Sequence, residues 1–245
     1  MYRAYIFDLD GTLFRGESVI PGAVETVLEL ERRGALIRYL TNNSTQTQDT
    51  FTKKLNRMGF PAKNEEVYSS GLGTAKYLLR ENLRRVYVIG EDGLRHILQE
   101  HGIEVAEEGV DAVVVGLSKS FNYHQMNHAM QLIRAGARFV ATNPDPTYPV
   151  EGGGLIPGAG SVVAAVTACS QVDPFVVGKP NPFLTQLVME ESGLLPADTL
   201  VVGDRIDTDL ESGRRAGCPT FLVLSGVTLE APAGFDFAAD VTGLL

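Results

Sequence analysis

The sequence contains no tryptophan and only two cysteines, and its acidic residues outnumber its basic ones. Cys169 and Cys218 lie far apart and form no CxxC pair, which excludes a disulfide scaffold and predicts two reduced, buried thiols. Lys and Arg number 21 against 30 Asp and Glu, so the net charge is −9. That balance argues against a nucleic-acid polymer or an anionic membrane as a partner, although one lysine or a metal ion can reverse the sign inside a cleft.

Long apolar runs are also absent from the sequence. No stretch approaches the ~18 uninterrupted apolar residues that a membrane span needs. Met1-Tyr2-Arg3 leads directly into a strand-like segment, which is not the pattern of a secretory leader. We therefore expect a cytoplasmic protein without a membrane partner.

The chain has 245 residues, of which 44% are hydrophobic and 21% charged, an ordinary composition for a globular protein. Apolar strands alternate with helices, which predicts parallel sheets joined by right-handed crossovers. The strand–helix pairs are more numerous than one compact sheet needs, so two α/β domains are expected. The glycine-rich stretch 151–160 is the most obvious loop. Strands are predicted over 2–9, 35–41, 67–70, 85–89, 112–116, 138–142, 175–177, 199–202 and 220–224, and helices over 23–33, 46–58, 73–81, 92–101, 122–135, 160–169, 182–192 and 208–216.

Two carboxylates follow the first predicted strand, in the segment Asp8-Leu9-Asp10-Gly11-Thr12. Side chains two residues apart at a strand end can project toward one site, and Gly11 lets the chain turn sharply away. One carboxylate can attack phosphorus, while the other can protonate the leaving oxygen and then deprotonate a water. A surface turn is the alternative interpretation, and the apolar strand that runs directly into the pair disfavours it.

Polar and basic residues follow two further predicted strands. Thr41 ends the second strand, and Asn42 and Asn43 come next. A hydroxyl at a strand end, followed by backbone N–H groups that open a helix, can bind phosphate oxygens. Lys179, between Gly178 and Pro180, can neutralise both a nucleophile and a phosphoryl group. Taken singly, these features are also typical of a helix cap and of a surface lysine.

Acidic residues cluster again after the apolar run 200–202, at Asp204, Asp207 and Asp209. Clustered carboxylates suit Mg²⁺, a hard cation that prefers oxygen ligands. The Asp spacing does not match an EF-hand, and no bidentate Glu follows at the required place. Because ligands of open α/β sheets bind at the carboxyl ends of the strands, we expect these motifs to meet at one edge.

The order DxDGT, Thr, Lys and GDxxxxD resembles the phosphatases of the haloacid dehalogenase superfamily. The resemblance implies an α/β fold: a doubly wound, parallel-sheet, Rossmann-like core with an inserted α/β cap domain. It implies that Asp8 is the nucleophile and a Mg²⁺ ligand, and that Asp10 is the general acid/base and binds the metal through its backbone carbonyl. It also implies that Thr41 binds phosphate, with Asn42 and Asn43 beside it, and that Lys179 contacts the phosphate and the nucleophile. In the same way it implies that Asp204 ligates the metal and that Asp209 supports the metal's water shell.

A long insertion separates Thr41 from Lys179 and provides room for the cap. This layout, together with the runs Ile20-Pro21-Gly22-Ala23 and Thr142-Asn143-Pro144-Asp145, resembles the NagD-like branch of the superfamily. That branch includes nucleotide, 4-nitrophenyl phosphate, phosphoglycolate and pyridoxal-phosphate phosphatases, so the resemblance implies hydrolysis of a small phosphorylated metabolite.

The same resemblance places the core at residues 1–77 and 175–245 and the cap at 78–174. It makes Asn143 and Asp145 candidate substrate contacts, with a purely structural turn as the alternative. Caps of this branch often mediate dimers, so a homodimer through the cap is a further expectation by analogy.

Two other functions stay open at this point. A regulatory module would bind a phosphorylated ligand without hydrolysing it, and a phosphotransferase would pass the phosphoryl group to an alcohol. Asp10 disfavours the regulatory module, because a sensor needs no acid/base. His124 and His128 could ligate zinc from one helix face, but no third ligand is evident nearby, so we interpret them as a solvated face.

Overall fold

The computed structural model describes residues 2–149 and 154–245. The strands of this part of the chain are β1 (Ala4–Phe7), β2 (Phe14–Arg15), β3 (Ser18–Val19), β4 (Leu36–Thr41), β5 (Val67–Ser69), β6 (Arg85–Ile89), β7 (Glu104–Val105), β8 (Ala112–Val115), β9 (Arg138–Ala141), β10 (Thr147–Pro149), β11 (Leu155–Pro157), β12 (Phe175–Val176), β13 (Thr199–Gly203), β14 (Thr220–Val223) and β15 (Phe237–Ala238). The helices are α1 (Ala23–Arg32), α2 (Gln48–Arg57), α3 (Ser70–Arg80), α4 (Asp92–Glu100), α5 (Tyr123–Arg134), α6 (Ala159–Ser170), α7 (Phe183–Ser192) and α8 (Glu211–Arg215), and a π-helical turn spans Ile206–Leu210.

These elements form two compact units. The first unit holds the residues up to Thr41, together with Gln48–Tyr68 and Lys179–Leu245. The second unit holds Asn42–Thr47 and the described part of Ser69–Gly178. The predicted α/β class, with parallel sheets and alternating helices, is confirmed.

The predicted cap, residues 78–174, lies inside the long segment of the second unit. The short strand β12 pairs in parallel with β9 of that unit, at Phe175 and Val176. Whether the second unit acts as a cap is a functional question, and its assignment stays a prediction here.

The first unit is built on a sheet whose order, in the described chain, is β15-β14-β13-β1-β4-β5. Strand β1 pairs in parallel with β4 on one side and β13 on the other, with Phe7 opposite Tyr39 and Val202. All four residues of β1 are buried, as expected for a strand covered on both faces. The chain order reverses at β1, and such a switch point creates a crevice at the carboxyl ends of the strands.

One hydrophobic core supports this sheet. Phe7 and Tyr39 pack in it with Leu30 from α1 and Leu55 from α2. Each of these side chains is at most 1% exposed. Full burial of such a side chain contributes roughly 1.5–3 kcal/mol, so the core fixes the strand ends that carry the polar motifs.

The second unit has its own parallel sheet of order β12-β9-β8-β6-β7 in the described chain, and an antiparallel hairpin, β10–β11. Its core contains Ile89, Val113 and Val115, packed with Ile133 of α5 and Val166 of α6. Among the described residues, every helix is too short or too polar to span a bilayer.

Several segments differ from the sequence-based predictions, and the short strands β7, β10 and β15 are among those that were not predicted. A hairpin of β2 and β3 follows the Asp8–Thr12 motif, where no element was predicted. The predicted loop 151–160 contains β11 and the start of α6, while 151–153 lie outside the described residues. The predicted helix 208–216 is α-helical only over Glu211–Arg215, because the π-helical turn precedes it.

Candidate active site

The polar motifs of the first unit lie at the carboxyl edge of its sheet. Asp8 follows β1, Thr41 ends β4 and Asp204 follows β13. Because β1 is the neighbour of both other strands, the parallel register brings these three positions to adjacent strand ends. Asp8 N donates to Val202 O at 2.9 Å, which extends the β1–β13 ladder into the motif.

Lys179 joins two of the carboxylates. Its Nζ lies 2.5 Å from Asp8 Oδ1 and 2.7 Å from Asp209 Oδ1, and it also donates to Leu40 O at 3.3 Å. The residue is only 2% exposed. Burial lowers the pKa of Lys179, but the negative charges of Asp209 and Asp8 outweigh this effect and hold the pKa above its ordinary value. The lysine is therefore a buried, permanent cation in contact with Asp8.

Asp8, Asp204 and Asp209 form a carboxylate cluster in which one oxygen from each lies within 4.8 Å of the others. Burial raises the pKa of Asp8 well above its ordinary value; Lys179 opposes the rise, and the charges of Asp209 and Asp204 add to it. Burial, followed by the charge of Asp209, raises the pKa of Asp204 to about 7. The half-buried Asp8 and the buried Asp204 and Asp209 thus repel one another, and oxygen ligands of this kind fit a divalent cation such as Mg²⁺.

Close backbone packing brings Asp209 back to the strand end. The π-helical turn Ile206–Leu210 follows Asp204, and Arg205 N donates to Asp209 Oδ2 at 3.1 Å. Gly203 lies against the Asp209 side chain, where a Cβ would collide with the Asp209 Cβ. Single π-helical turns are frequent at functional sites, and here the turn presents Asp209 to Lys179.

Asp10 lies beside the β2–β3 hairpin and takes no part in the carboxylate cluster among the described residues. Gly11 adopts a left-handed φ of 90° and donates its N–H to Phe14 O at 2.7 Å, which turns the chain into the hairpin. Asp10 is exposed as a residue, yet the surrounding protein desolvates its carboxyl, which raises its pKa. The positive charge of Lys54 opposes this rise. A carboxyl that keeps its proton more readily than usual is suited to act as an acid.

The residues after β4 make local and long-range bonds. Thr41 is 5% exposed. Asn43 Oδ1 accepts from Thr45 N at 2.9 Å and from Thr45 Oγ1 at 2.7 Å, an Asx turn that starts the next segment. Asn42 Nδ2 donates to Asp145 Oδ2 at 2.9 Å.

The second unit therefore brings Asn42, Asn143 and Asp145 together. Asn143 Nδ2 donates to Asn42 O, and Ser70 Oγ donates to the same carbonyl at 2.5 Å. Asn143 is 6% exposed, and its Oδ1 is buried without a hydrogen-bond partner in the described chain. The predicted site residues thus fall into two groups: those of the first unit, which are Asp8, Asp10, Thr41, Lys179, Asp204 and Asp209, and those of the second unit, which are Asn42, Asn43, Asn143 and Asp145.

Two contributors to the first unit's site were missed by the sequence reasoning. Val227 N donates to Asp204 Oδ2 at 2.6 Å, and Ser225 Oγ donates to Gly11 O at 2.7 Å. Both lie in the loop after β14, whose carboxyl end meets the same sheet edge. The signal that could have found them is the pair Ser225-Gly226, directly after the predicted strand 220–224.

His124 and His128 belong to no potential metal cluster among the described residues. His128 Nε2 lies 2.7 Å from Glu107 O, and its ring packs edge-on against Tyr87 with centroids 4.8 Å apart. The carboxylates around Lys179 are therefore the candidate catalytic site.

Fold and site together define a class: an enzyme with a parallel α/β sheet and a half-buried carboxylate, Asp8, at the end of its central strand. The family model described as haloacid dehalogenase-like hydrolase matches residues 5–104, and a second model of HAD-like hydrolases matches residues 176–241. The chain belongs to the haloacid dehalogenase-like hydrolases, in their NagD-like branch, as its motifs implied.

Curated relatives cover nearly the whole chain. The 5'-nucleotidase YutF of Bacillus subtilis is 38% identical over 93% of this chain and 89% of that protein. The acid sugar phosphatase of Staphylococcus aureus is 40% identical over 94% of this chain and 89% of that protein.

Solved structures agree with this assignment. A p-nitrophenyl phosphatase from Archaeoglobus fulgidus superposes with a TM-score of 0.93 at 31% identity, covering 99% of this chain and 98% of that one. NagD from E. coli superposes with a TM-score of 0.88 at 31% identity, covering 98% of this chain and 97% of that one. Three relatives named as phosphatases or nucleotidases therefore share its sequence or fold.

Proposed function

We propose that this chain is a Mg²⁺-dependent phosphomonoester hydrolase that forms a phospho-aspartate at Asp8. The observation that carries the proposal is the 2.5 Å contact of Lys179 Nζ with Asp8 Oδ1 at the end of the central strand. A carboxylate that is buried and paired with a fixed cation is held in one position and shielded from bulk water. Such a group is suited to attack an electrophile that itself carries negative charge.

The first chemical step transfers the phosphoryl group to the protein. An oxygen of Asp8 attacks phosphorus, and the bond from phosphorus to the ester oxygen breaks. Asp10 gives its proton to the departing oxygen, so that an alcohol leaves rather than an alkoxide. The raised pKa of Asp10 supports this role, because its carboxyl holds a proton more readily than an ordinary aspartate does.

The second step restores the free carboxylate. Asp10, now deprotonated, takes a proton from a water as that water attacks phosphorus in phospho-Asp8. The acyl-phosphate bond breaks, inorganic phosphate forms and Asp8 regains its carboxylate. The same side chain therefore serves as acid in one step and base in the next.

We assign phosphate binding to Lys179 and to the residues at and directly after the end of β4. Lys179, Thr41, Asn42 and Asn43 would hold the phosphoryl oxygens, with Lys179 offsetting negative charge as the new bond forms. Asp8, Asp204, Asp209 and the Asp10 backbone carbonyl would hold Mg²⁺, directly or through its water shell. When bound, the cation supplies charge neutralisation between carboxylates and phosphate.

The substrate is proposed to be a small phosphorylated metabolite, such as a nucleoside monophosphate, a sugar phosphate or phosphoglycolate. The names of the curated relatives, a 5'-nucleotidase and an acid sugar phosphatase, support this class. We propose that the second unit is the substrate-specificity cap, and that Asn143 and Asp145 contribute to substrate recognition there.

A phosphate-release assay tests the proposal. Purified protein is given 4-nitrophenyl phosphate and a panel of metabolites, with Mg²⁺ or with EDTA, and the substrates are ranked by kcat/KM. We expect release with Mg²⁺, little release with EDTA, and none from Asp8→Asn. Binding without release would instead support a regulatory module, and phosphorylated alcohols formed from added acceptors would support a phosphotransferase.

A further inference from the structure

The loop Ser225–Thr228 holds the carboxylate that follows β13. Val227 N donates to Asp204 Oδ2 at 2.6 Å, and Thr228 N donates to the Asp204 backbone carbonyl at 3.2 Å. Asp204 itself is 1% exposed. The bond from Val227 orients the plane of the Asp204 carboxylate, and the bond from Thr228 fixes the Asp204 main chain. The direction in which Asp204 Oδ1 points therefore depends on this loop.

Glycines allow the loop to lie directly on the carboxylate. A Cβ on Gly226 would collide with Asp204 Oδ2. A Cβ on Gly11 would lie 2.5 Å from the same oxygen and 3.1 Å from Gly226 Cα. Three backbone segments, the turn after Asp10, the end of β13 and the loop, therefore meet at Asp204 without room for side chains.

Ser225 connects the loop to the turn after Asp10. Its hydroxyl donates to Gly11 O at 2.7 Å, and the residue is 8% exposed. Arg15 of the β2–β3 hairpin donates from Nε to Ser225 O at 2.6 Å. A continuous set of bonds thus runs from the hairpin through Ser225 to the motif that carries Asp8 and Asp10.

We propose that Ser225 is a positioning residue that sets the distance between the Asp8–Gly11 turn and Asp204, and thereby the geometry of the carboxylate cluster for a divalent cation. The inference rests on the proposed function, because it assigns Ser225 to the metal site of that function. Groups that orient metal ligands without touching the metal typically affect metal affinity by about 10–100-fold. Ser225 fits this role because its hydroxyl bonds to backbone that leads to two of the implied ligands.

The test is Mg²⁺ binding by isothermal titration calorimetry to wild type, Ser225→Ala and Thr199→Val. Thr199 is a matched control: it is fully buried, begins β13 at the end away from Asp204, and donates its hydroxyl to Leu195 O at 2.9 Å. We expect Ser225→Ala to weaken Mg²⁺ binding by about tenfold or more. Thr199→Val should bind Mg²⁺ as the wild type does. Circular dichroism in EDTA should show both variants folded.

A second variant keeps the test decisive if Ser225→Ala does not fold. Arg15→Gln removes the donor to Ser225 O from an exposed side chain, and we expect it to weaken Mg²⁺ binding several-fold. Unchanged Mg²⁺ affinity in the folded Ser225 variant, or in Arg15→Gln if that is the folded one, would overturn this inference alone. So would an equal loss in Thr199→Val. Absence of Mg²⁺ binding by the wild type would overturn the inference and the proposed metal dependence together.

Discussion

The ammonium group of Lys179 lies 2.5 Å from Oδ1 of Asp8, although the two residues are 171 positions apart in the sequence. The same ammonium group lies 2.7 Å from Asp209 Oδ1. The side chains of Lys179 and Asp209 are each 3% exposed, and that of Asp8 is 12% exposed. One buried cation therefore balances part of the charge of two carboxylates, which links the stability of the first unit to the chemistry proposed at Asp8.

Replacing Lys179 by Met is expected to destabilise the metal-free protein. Loss of one partner from a buried ion pair leaves uncompensated charge and costs about 3–5 kcal/mol. Mg²⁺ should recover part of that loss, because it supplies positive charge to the same carboxylates. Urea unfolding with EDTA and with Mg²⁺ measures both quantities.

Lys53→Met is the matched control, since Lys53 pairs with Asp49 on an exposed helix face. Its effect on the free energy of unfolding should stay within about 1 kcal/mol. Equal stability of Lys179→Met and wild type in EDTA would contradict the role assigned to this lysine.

Mg²⁺ should raise the thermal midpoint of the wild type. At about 100 times its dissociation constant a ligand stabilises the native state by about 2.7 kcal/mol, or roughly 5–10 °C for a chain of this size. Asp204→Asn should largely remove this shift, because it deletes a carboxylate of the cluster. Asp207→Asn should keep it, because Asp207 is exposed on the same loop and pairs with Arg205 instead. A full Mg²⁺ shift in Asp204→Asn would exclude the proposed site.

Gly203→Ala should impair the site by steric displacement of Asp209. A Cβ at this position would collide with the Asp209 side chain, so we expect at least a tenfold loss of kcat/KM, about 1.4 kcal/mol in transition-state stabilisation. Gly193→Asn is the control, because Gly193 has a left-handed φ of 62°, which Asn tolerates, and open space around it. Steady-state kinetics gives kcat/KM for both variants. A Gly203→Ala enzyme with the kcat/KM of the wild type would show that the position of Asp209 is not critical.

Asp10→Asn should slow turnover without abolishing phosphoryl transfer to Asp8. Loss of a general acid/base typically costs about 10²–10⁴-fold in rate. The effect should be smallest for 4-nitrophenyl phosphate, whose leaving group needs little protonation, and larger for sugar phosphates. Rapid-quench kinetics on the two substrates measures this contrast, and an equal effect on both would contradict the acid role.

Asp8 and Asp204 were predictable because each follows an apolar strand of one parallel sheet, whose topology brings these strand ends together. Lys179 was predictable as a basic residue after an apolar strand, although that strand, β12, pairs with β9 in the sheet of the second unit. The parallel α/β class followed from the alternation of strands and helices, and it is confirmed. The membership in the haloacid dehalogenase family is confirmed as well, by models and relatives that span most of the chain.

Other parts of the site leave little trace in the sequence. The loop at Ser225 acts through a backbone N–H and a hydroxyl bonded to a carbonyl, and no side-chain pattern encodes such bonds. The segment 42–47 joins the second unit through contacts such as Ser44 Oγ with Thr142 Oγ1, 98 positions away. The sequence predicts ordinary helix where the π-helical turn precedes α8, because periodicity alone does not register one extra residue in a turn.

The most direct test of the central claim is to identify the residue that carries the phosphoryl group. Protein is mixed with 4-nitrophenyl phosphate and Mg²⁺, quenched within one turnover, and reduced with borohydride, which converts an aspartyl phosphate to homoserine. Peptide mass spectrometry then locates the change. We predict homoserine at Asp8, and its absence when Mg²⁺ or substrate is omitted. Full turnover with no modification at Asp8, or with modification at another carboxylate, would contradict the account.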